Sequence, residues 1–114
     1  KEAMWLDIKQ RRDSRLNAGF ACAGKWWHSD NESRIKYLGL LMLGANMPTT
    51  INWKTMDGSF VQMTPTLAGQ IFGTVAAWDT ATFTTAETHK AAMQASIDPI
   101  HYDFSANWPL IFGE

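Results

Sequence analysis

Ile51-Asn52-Trp53-Lys54-Thr55-Met56-Asp57-Gly58-Ser59-Phe60-Val61-Gln62-Met63-Thr64-Pro65 contains two short β-prone runs around an Asp-Gly turn, then a helix start. Asp57-Gly58 is a strong hairpin signal, because glycine accepts the positive φ that a tight turn requires. Thr64 supplies an N-cap oxygen, and Pro65 suits the first helical position, where its missing N–H costs nothing. Upstream the same unit recurs. Phe20-Ala21-Cys22-Ala23-Gly24-Lys25-Trp26-Trp27-His28 reads as a hairpin turning at Ala23-Gly24, and Ser29 with Glu32 reads as a capping box opening a second helix.

Working outward, the apolar spacing predicts three main helices, over about 2–17, 30–44 and 65–96, and two hairpins, over about 20–28 and 51–63. Met4, Trp5 and Ile8 share one face of the first helix, which Asn17-Ala18-Gly19 ends. Ile35, Leu38, Leu41 and Met42 are the expected buried stripe of the second. In the third, Leu67, Ile71, Val75 and Trp78 continue through Thr82, Ala86, His89 and Met93, giving one long helix. The threonine-rich stretch around Thr84 is where it could divide in two. The tail after Asp98-Pro99 holds Tyr102, Phe104, Trp108 and Phe112 and is expected to pack back on the domain. Because an isolated two-stranded ribbon is barely stable, the hairpins are expected to pair into one small antiparallel sheet under the helices. The fold class is α+β.

A chain of 114 residues, 46% of them apolar, suits a single domain spanning 1–114 with one core. One cysteine, Cys22, excludes an internal disulfide and reads as a small buried hydrophobe. The net charge of −1 argues against a nucleic-acid partner, which would require a cationic excess. Charge is uneven, +3 over residues 1–40 and −4 over 41–114, which favours pairing between the halves. No apolar run approaches a membrane span, so no membrane partner is expected. The start at Lys1, inside a helical pattern, reads as a cut from a longer protein, of which this would be a C-terminal fragment.

Candidate chemistry is sparse. His28-Ser29-Asp30 resembles a ligand cluster, yet capping accounts for Ser29 and Asp30, and a metal site requires three or four convergent ligands. His101 with Asp103 lacks a nucleophile. Glu87-Thr88-His89-Lys90 does not complete a zinc-protease pattern, and His89 reads as a core or interface histidine. No catalytic, cofactor or metal residues are assigned. The possible interaction surface comprises Met4, Trp5, Ile8, Trp27, Trp53 and His89, and the face carrying Met4, Trp5 and Ile8 is where a homo-oligomer could form.

Gly24-Lys25-Trp26-Trp27-His28-Ser29-Asp30, Ser33-Arg34, Trp53-Lys54-Thr55-Met56-Asp57-Gly58, Met63-Thr64, Glu87-Thr88-His89-Lys90, Tyr102-Asp103-Phe104 and Trp108-Pro109, following an Arg-rich helix, resemble a domain of unknown function found in tail and tail-fibre-associated proteins of tailed bacteriophages and prophages. The resemblance implies a non-enzymatic structural or interaction module whose partners are other phage tail or fibre proteins. It would reside in the virion, or in the host cytoplasm during assembly. A fibre-assembly chaperone and a receptor- or glycan-binding tip using Trp26, Trp27 and Trp53 are the alternatives. The resembled family supplies no catalytic residues.

Overall fold

Thr64 and Pro65 start the helix that organises the molecule. In the computed structural model, which describes residues 1–114, the Thr64 hydroxyl oxygen accepts from the Leu67 amide at 3.0 Å and Pro65 occupies the first turn. The first helix, α1, covers Glu2–Leu16; strands β1 (Phe20–Cys22) and β2 (Lys25–Trp27) form the first hairpin. Helix α2 covers Asn31–Leu43, strands β3 (Asn52–Lys54) and β4 (Phe60–Gln62) form the second hairpin, and the long helix α3 runs Pro65–Ala95. Short 3-10 turns occupy Gly44–Asn46 and Pro99–His101.

Helix α3 is continuous for 31 residues, about 46 Å at the usual rise, and sets the long dimension of a 57 × 25 × 19 Å molecule. It survives its threonine-rich middle because the hydroxyls of Thr80, Thr82 and Thr85 donate to the carbonyls of Ala76, Trp78 and Ala81, each four residues back. Those hydroxyls are satisfied without breaking the backbone ladder. The radius of gyration is 17.0 Å, against about 13 Å for a compact domain of this length.

This elongation has a packing cause. The expected single core is two. Over the first half of α3, Ala68, Ile71 and Val75 pack with Phe20, Trp27, Tyr37, Leu40, Met47 and Met63 from hairpin 1, α2 and the segments on either side of hairpin 2. Over the second half, Ala86 and Met93 pack with Ile8 of α1 and Trp108 of the tail, with Met4, Trp5, Tyr102 and Phe104 alongside. The aromatic tail therefore folds back as its composition predicts.

The single sheet is also corrected. The hairpins are two separate two-stranded antiparallel ribbons, with Phe20 opposite Trp27 in one and Trp53 opposite Val61 in the other. The turn of hairpin 2 meets the edge of hairpin 1, so a turn residue, not a strand, takes up that edge. The Met56 amide donates to the Trp26 carbonyl at 2.9 Å, and Lys25 Nζ donates to Ser59 Oγ at 2.8 Å. Met56 lies directly on Gly19, where φ is +101° and an added Cβ would overlap its sulfur, so only glycine fits there. The first turn places Ala23 and Gly24 both at positive φ, as an I′ turn requires.

Helix α2 departs from expectation at both its start and its face. Asp30, not Ser29, is the N-cap: its carboxylate accepts from the Ser33 amide at 3.3 Å and the Ser33 hydroxyl at 2.6 Å. The Ser33 hydroxyl, above all, lowers the pKa of Asp30. Ser29 is buried, and its hydroxyl oxygen accepts from the Gly19 amide at 2.8 Å. The buried face is Tyr37 and Leu40; Ile35, Leu38, Leu41 and Met42 are exposed. Tyr37 fixes this phase. Its hydroxyl donates to the His28 carbonyl at 2.6 Å, and its ring meets Phe20 edge-on and Trp53 at a tilt.

Burial pushes the Tyr37 hydroxyl up to about 12. The folded state thus holds Tyr37 neutral more strongly than the unfolded chain does. Its contribution is complete below the ordinary tyrosine value near 10 and is lost as pH rises through about 12. The midpoint of urea unfolding should begin to fall above pH ~10, and Tyr37→Phe should weaken that decline. At neutral pH the same substitution should cost about 1 kcal/mol through the lost hydrogen bond.

Candidate functional site

The polar clusters are used up in holding the fold. Asp79 lies on α3 between the two cores, and Arg34 of α2 reaches it with both terminal nitrogens, at 2.7 and 2.9 Å. Arg34 also donates to the carbonyls of Ser29, at 2.6 Å, and Leu16, at 2.9 Å. One guanidinium therefore ties the end of α1, the exit of hairpin 1, α2 and α3 together. A small cavity of about 240 Å³ opens beside this junction, lined by Asp13, Leu16, Asn17, Asn31, Arg34, Asp79 and Phe83. Its strongest charges, Arg34 and Asp79, already satisfy each other. A wider, open concavity along α3, with Thr80, Thr84, Glu87 and Ala91 in its wall, holds no histidine or cysteine.

The histidines separate. His89 is buried, with Nδ1 2.8 Å from the Tyr102 hydroxyl, Nε2 2.7 Å from the Ala106 carbonyl, and its ring stacked on Trp108. The carbonyl can only accept, so Nε2 carries a proton and donates it to Ala106. His101 pairs at 2.7 Å with Asp98, and Asp103 accepts from the Ser105 amide at 2.9 Å. His28 contributes its backbone carbonyl to Tyr37. Cys22 is buried, with Sγ 3.5 Å from Thr74 Oγ1. No three His, Cys, Asp or Glu side chains converge at metal-ligand spacing.

Of the residues proposed as a contact surface, Ile8, Trp27 and His89 lie inside the molecule. Trp27 donates its indole N–H to the Cys22 carbonyl at 2.8 Å. Met4 and Trp5 are half-buried against the second core, and Trp5 is covered by Lys90, whose Nζ sits 4.7 Å from the ring centre. Trp53 is half-buried against Tyr37, and Trp26 meets Phe112 edge-on. The Met4–Trp5–Ile8 face is thus engaged by α3 and the tail of its own chain.

One apolar surface left open is the outer side of α2. Ile35 is 69% exposed and Met42 80%, with Leu38, Leu41 and Leu43 also exposed. Positions 35, 38 and 42 follow helical spacing on one side of α2, while Tyr37 and Leu40 occupy another. Amid the outer side chains, an added Cβ on Gly39 would meet nothing within 4 Å. From Leu38 to Asn46 the chain carries no charge. The sequence signal for this surface is that α2 is apolar on more than one face, which a helix packed on one side does not require. Apolar side chains held outward in this way are suited to protein contact.

No curated protein and no solved structure matches the chain. A family model, that of a domain of unknown function, DUF4376, matches residues 1–106 and takes in every helix and hairpin described above; the chain belongs to that family.

Proposed function

We propose that the chain is a non-enzymatic interaction and structural module of a bacteriophage tail or tail fibre, and that it makes its contacts through the outer face of α2. The observation that carries this reading is the exposure of Ile35, Leu38 and Met42 on a helix whose Tyr37–Leu40 side is already packed. Apolar side chains held outward on a scaffold locked by Arg34 and by two cores favour association. The motif resemblance to tail-associated domains supplies the setting. Partners are other tail or fibre proteins.

The test is complementation in cells producing the particle that carries the chain. Met42→Glu places a charge at the centre of the open face without touching either core, and should lower the yield of infectious particles at least about tenfold, the effect of roughly 1.4 kcal/mol at an interface. Lys54→Glu, on an exposed strand position, should leave the yield unchanged. Mass analysis of purified particles then divides the two forms of the proposal. The chain present in stoichiometric amount marks a resident part, and its absence from particles that require it marks an assembly chaperone. Wild-type yield from Met42→Glu would overturn the proposal.

A further inference from the structure

We infer that the face made by Arg15, Gly19, Trp26 and Met56 is a docking site for an acidic, turn-forming segment of a partner protein, and that the chain's own tail, Pro109–Glu114, occupies it in cis. The site uses none of the residues on the outer face of α2.

Arg15 is its anchor. An arginine in the last turn of a helix can complement the dipole with its charge in water, yet Arg15 is only 7% exposed. The tail closes over it. Nη1 and Nη2 each donate to one carboxylate oxygen of Glu114, at 2.9 and 2.7 Å, and Nη2 also donates to the Pro109 carbonyl at 2.7 Å. Such a fork selects a carboxylate by shape as well as by charge. Arg15, above all, holds the Glu114 carboxyl below its ordinary range, and Arg11, one turn back, adds to the positive field.

An apolar contact lies beside this polar one. Phe112 meets Trp26 edge-on at 6.2 Å between ring centres, and its Cβ lies 3.3 Å from where a Cβ on Gly19 would stand, against the Met56 sulfur. Ile111–Glu114 is a tight turn. The Glu114 amide donates to the Ile111 carbonyl and the Ile111 amide to Glu114 Oε1, both at 3.2 Å, with Gly113 at φ +91°. The occupant's pattern is thus an aromatic, a glycine and an acid.

The tail fills the site incompletely. Arg15 Nε is buried without an acceptor, a defect that an occupant carrying one more acceptor would remove. Leu110 is 63% exposed and Phe112 40%, and neither belongs to a helix or strand. Arg34, by contrast, binds a carboxylate fixed in α3. The four residues of the face lie within the family match, which ends at residue 106, and the tail lies beyond it. A buried cation in the domain with a loosely held acid above it makes a competitive latch.

The test is fluorescence anisotropy with a peptide copy of Pro109–Glu114, labelled at its N-terminus and amidated at its C-terminus, added to the full chain. Phe112→Ala with Glu114→Gln opens the latch and leaves the face intact. The opened chain should bind the probe at least about tenfold more tightly than the wild type, whose tethered tail competes at an effective concentration on the order of millimolar. A probe with glutamine in place of the glutamate should bind the opened chain at least about tenfold more weakly. Adding Arg15→Met to the opened chain should abolish binding with an unchanged far-UV spectrum. Equal binding by wild type and opened chain overturns the inference, as do full affinity of the glutamine probe and the absence of binding at about 1 mM opened chain. Sedimentation of the wild type should give the 12.8 kDa single-chain mass. A doubled mass that Glu114→Gln abolishes would instead assign the site to the tail of a second copy and overturn the partner.

Discussion

Trp27→Ala unfolds more readily than the wild type by about 3–5 kcal/mol, the expected cost of emptying an aromatic site in a packed core. Trp27 is 1% exposed, faces Phe20 across the first ribbon, and bonds the Cys22 carbonyl through its indole N–H. A small domain has about 5–15 kcal/mol of total stability, so this loss removes a large share of it. Urea unfolding followed by far-UV circular dichroism measures the change. Trp27→Phe separates the two contributions: it keeps most of the apolar volume but loses the hydrogen bond, and should cost about half as much. Equal losses for Phe and Ala would mean that the N–H bond, not packing, is what the site requires.

Arg34→Met should cost about 2–3 kcal/mol. The ion pair with Asp79 is only partly buried, at 26% and 29% side-chain exposure, so its electrostatic worth is reduced by solvent. The larger share comes from the two carbonyls, of Leu16 and Ser29, that lose their donors along with the carboxylate. Arg34→Lys should recover less than half of that loss, because an ammonium cannot reproduce the flat bidentate fork while reaching both carbonyls. Asp79→Asn should be milder than Arg34→Met, since it leaves the carbonyl bonds in place. A double-mutant cycle should then give a coupling of about 1 kcal/mol between the two positions. Coupling near zero would show that Arg34 acts through the carbonyls alone.

These two sites show which parts of the structure were legible in the sequence. Local signals were read well. The Asp57-Gly58 and Ala23-Gly24 turns, the Thr64-Pro65 helix start and the Ile71–Met93 stripe each depend on neighbours within a few residues, and each is in place. The errors concern choices between equivalent local options. Ser29 and Asp30 are both good caps; the Gly19 amide, ten residues upstream, takes the Ser29 hydroxyl and leaves the helix to Asp30. Both Tyr37–Leu40 and Ile35–Leu38–Met42 satisfy helical spacing, and only the hydroxyl bond to His28 and the rings of Phe20 and Trp53 decide between them. The Arg34 junction joins residues up to 45 positions apart, and no short motif announces it. The division into two cores follows from α1 and α2 packing over different halves of α3, which a stripe on α3 alone does not reveal.

The open face of α2 escapes the sequence reading for the same reason. Tryptophans and the Met4–Trp5–Ile8 face attract attention in a sequence, but Trp27 and Ile8 are buried and Met4, Trp5, Trp26 and Trp53 are half-buried against their own chain. Ile35 and Met42 stay outside because Tyr37 and Leu40 turned α2 the other way. A helix with more apolar surface than its own domain can cover is the lasting signal.

The most direct measurement is photo-cross-linking inside assembling cells, with a photoreactive side chain replacing Met42 on the outer face of α2 and, separately, replacing Glu2 on the exposed start of α1. The account predicts specific adducts from position 42 to a tail or fibre protein, and none from position 2. No adduct from position 42 under conditions that produce complete particles would contradict it.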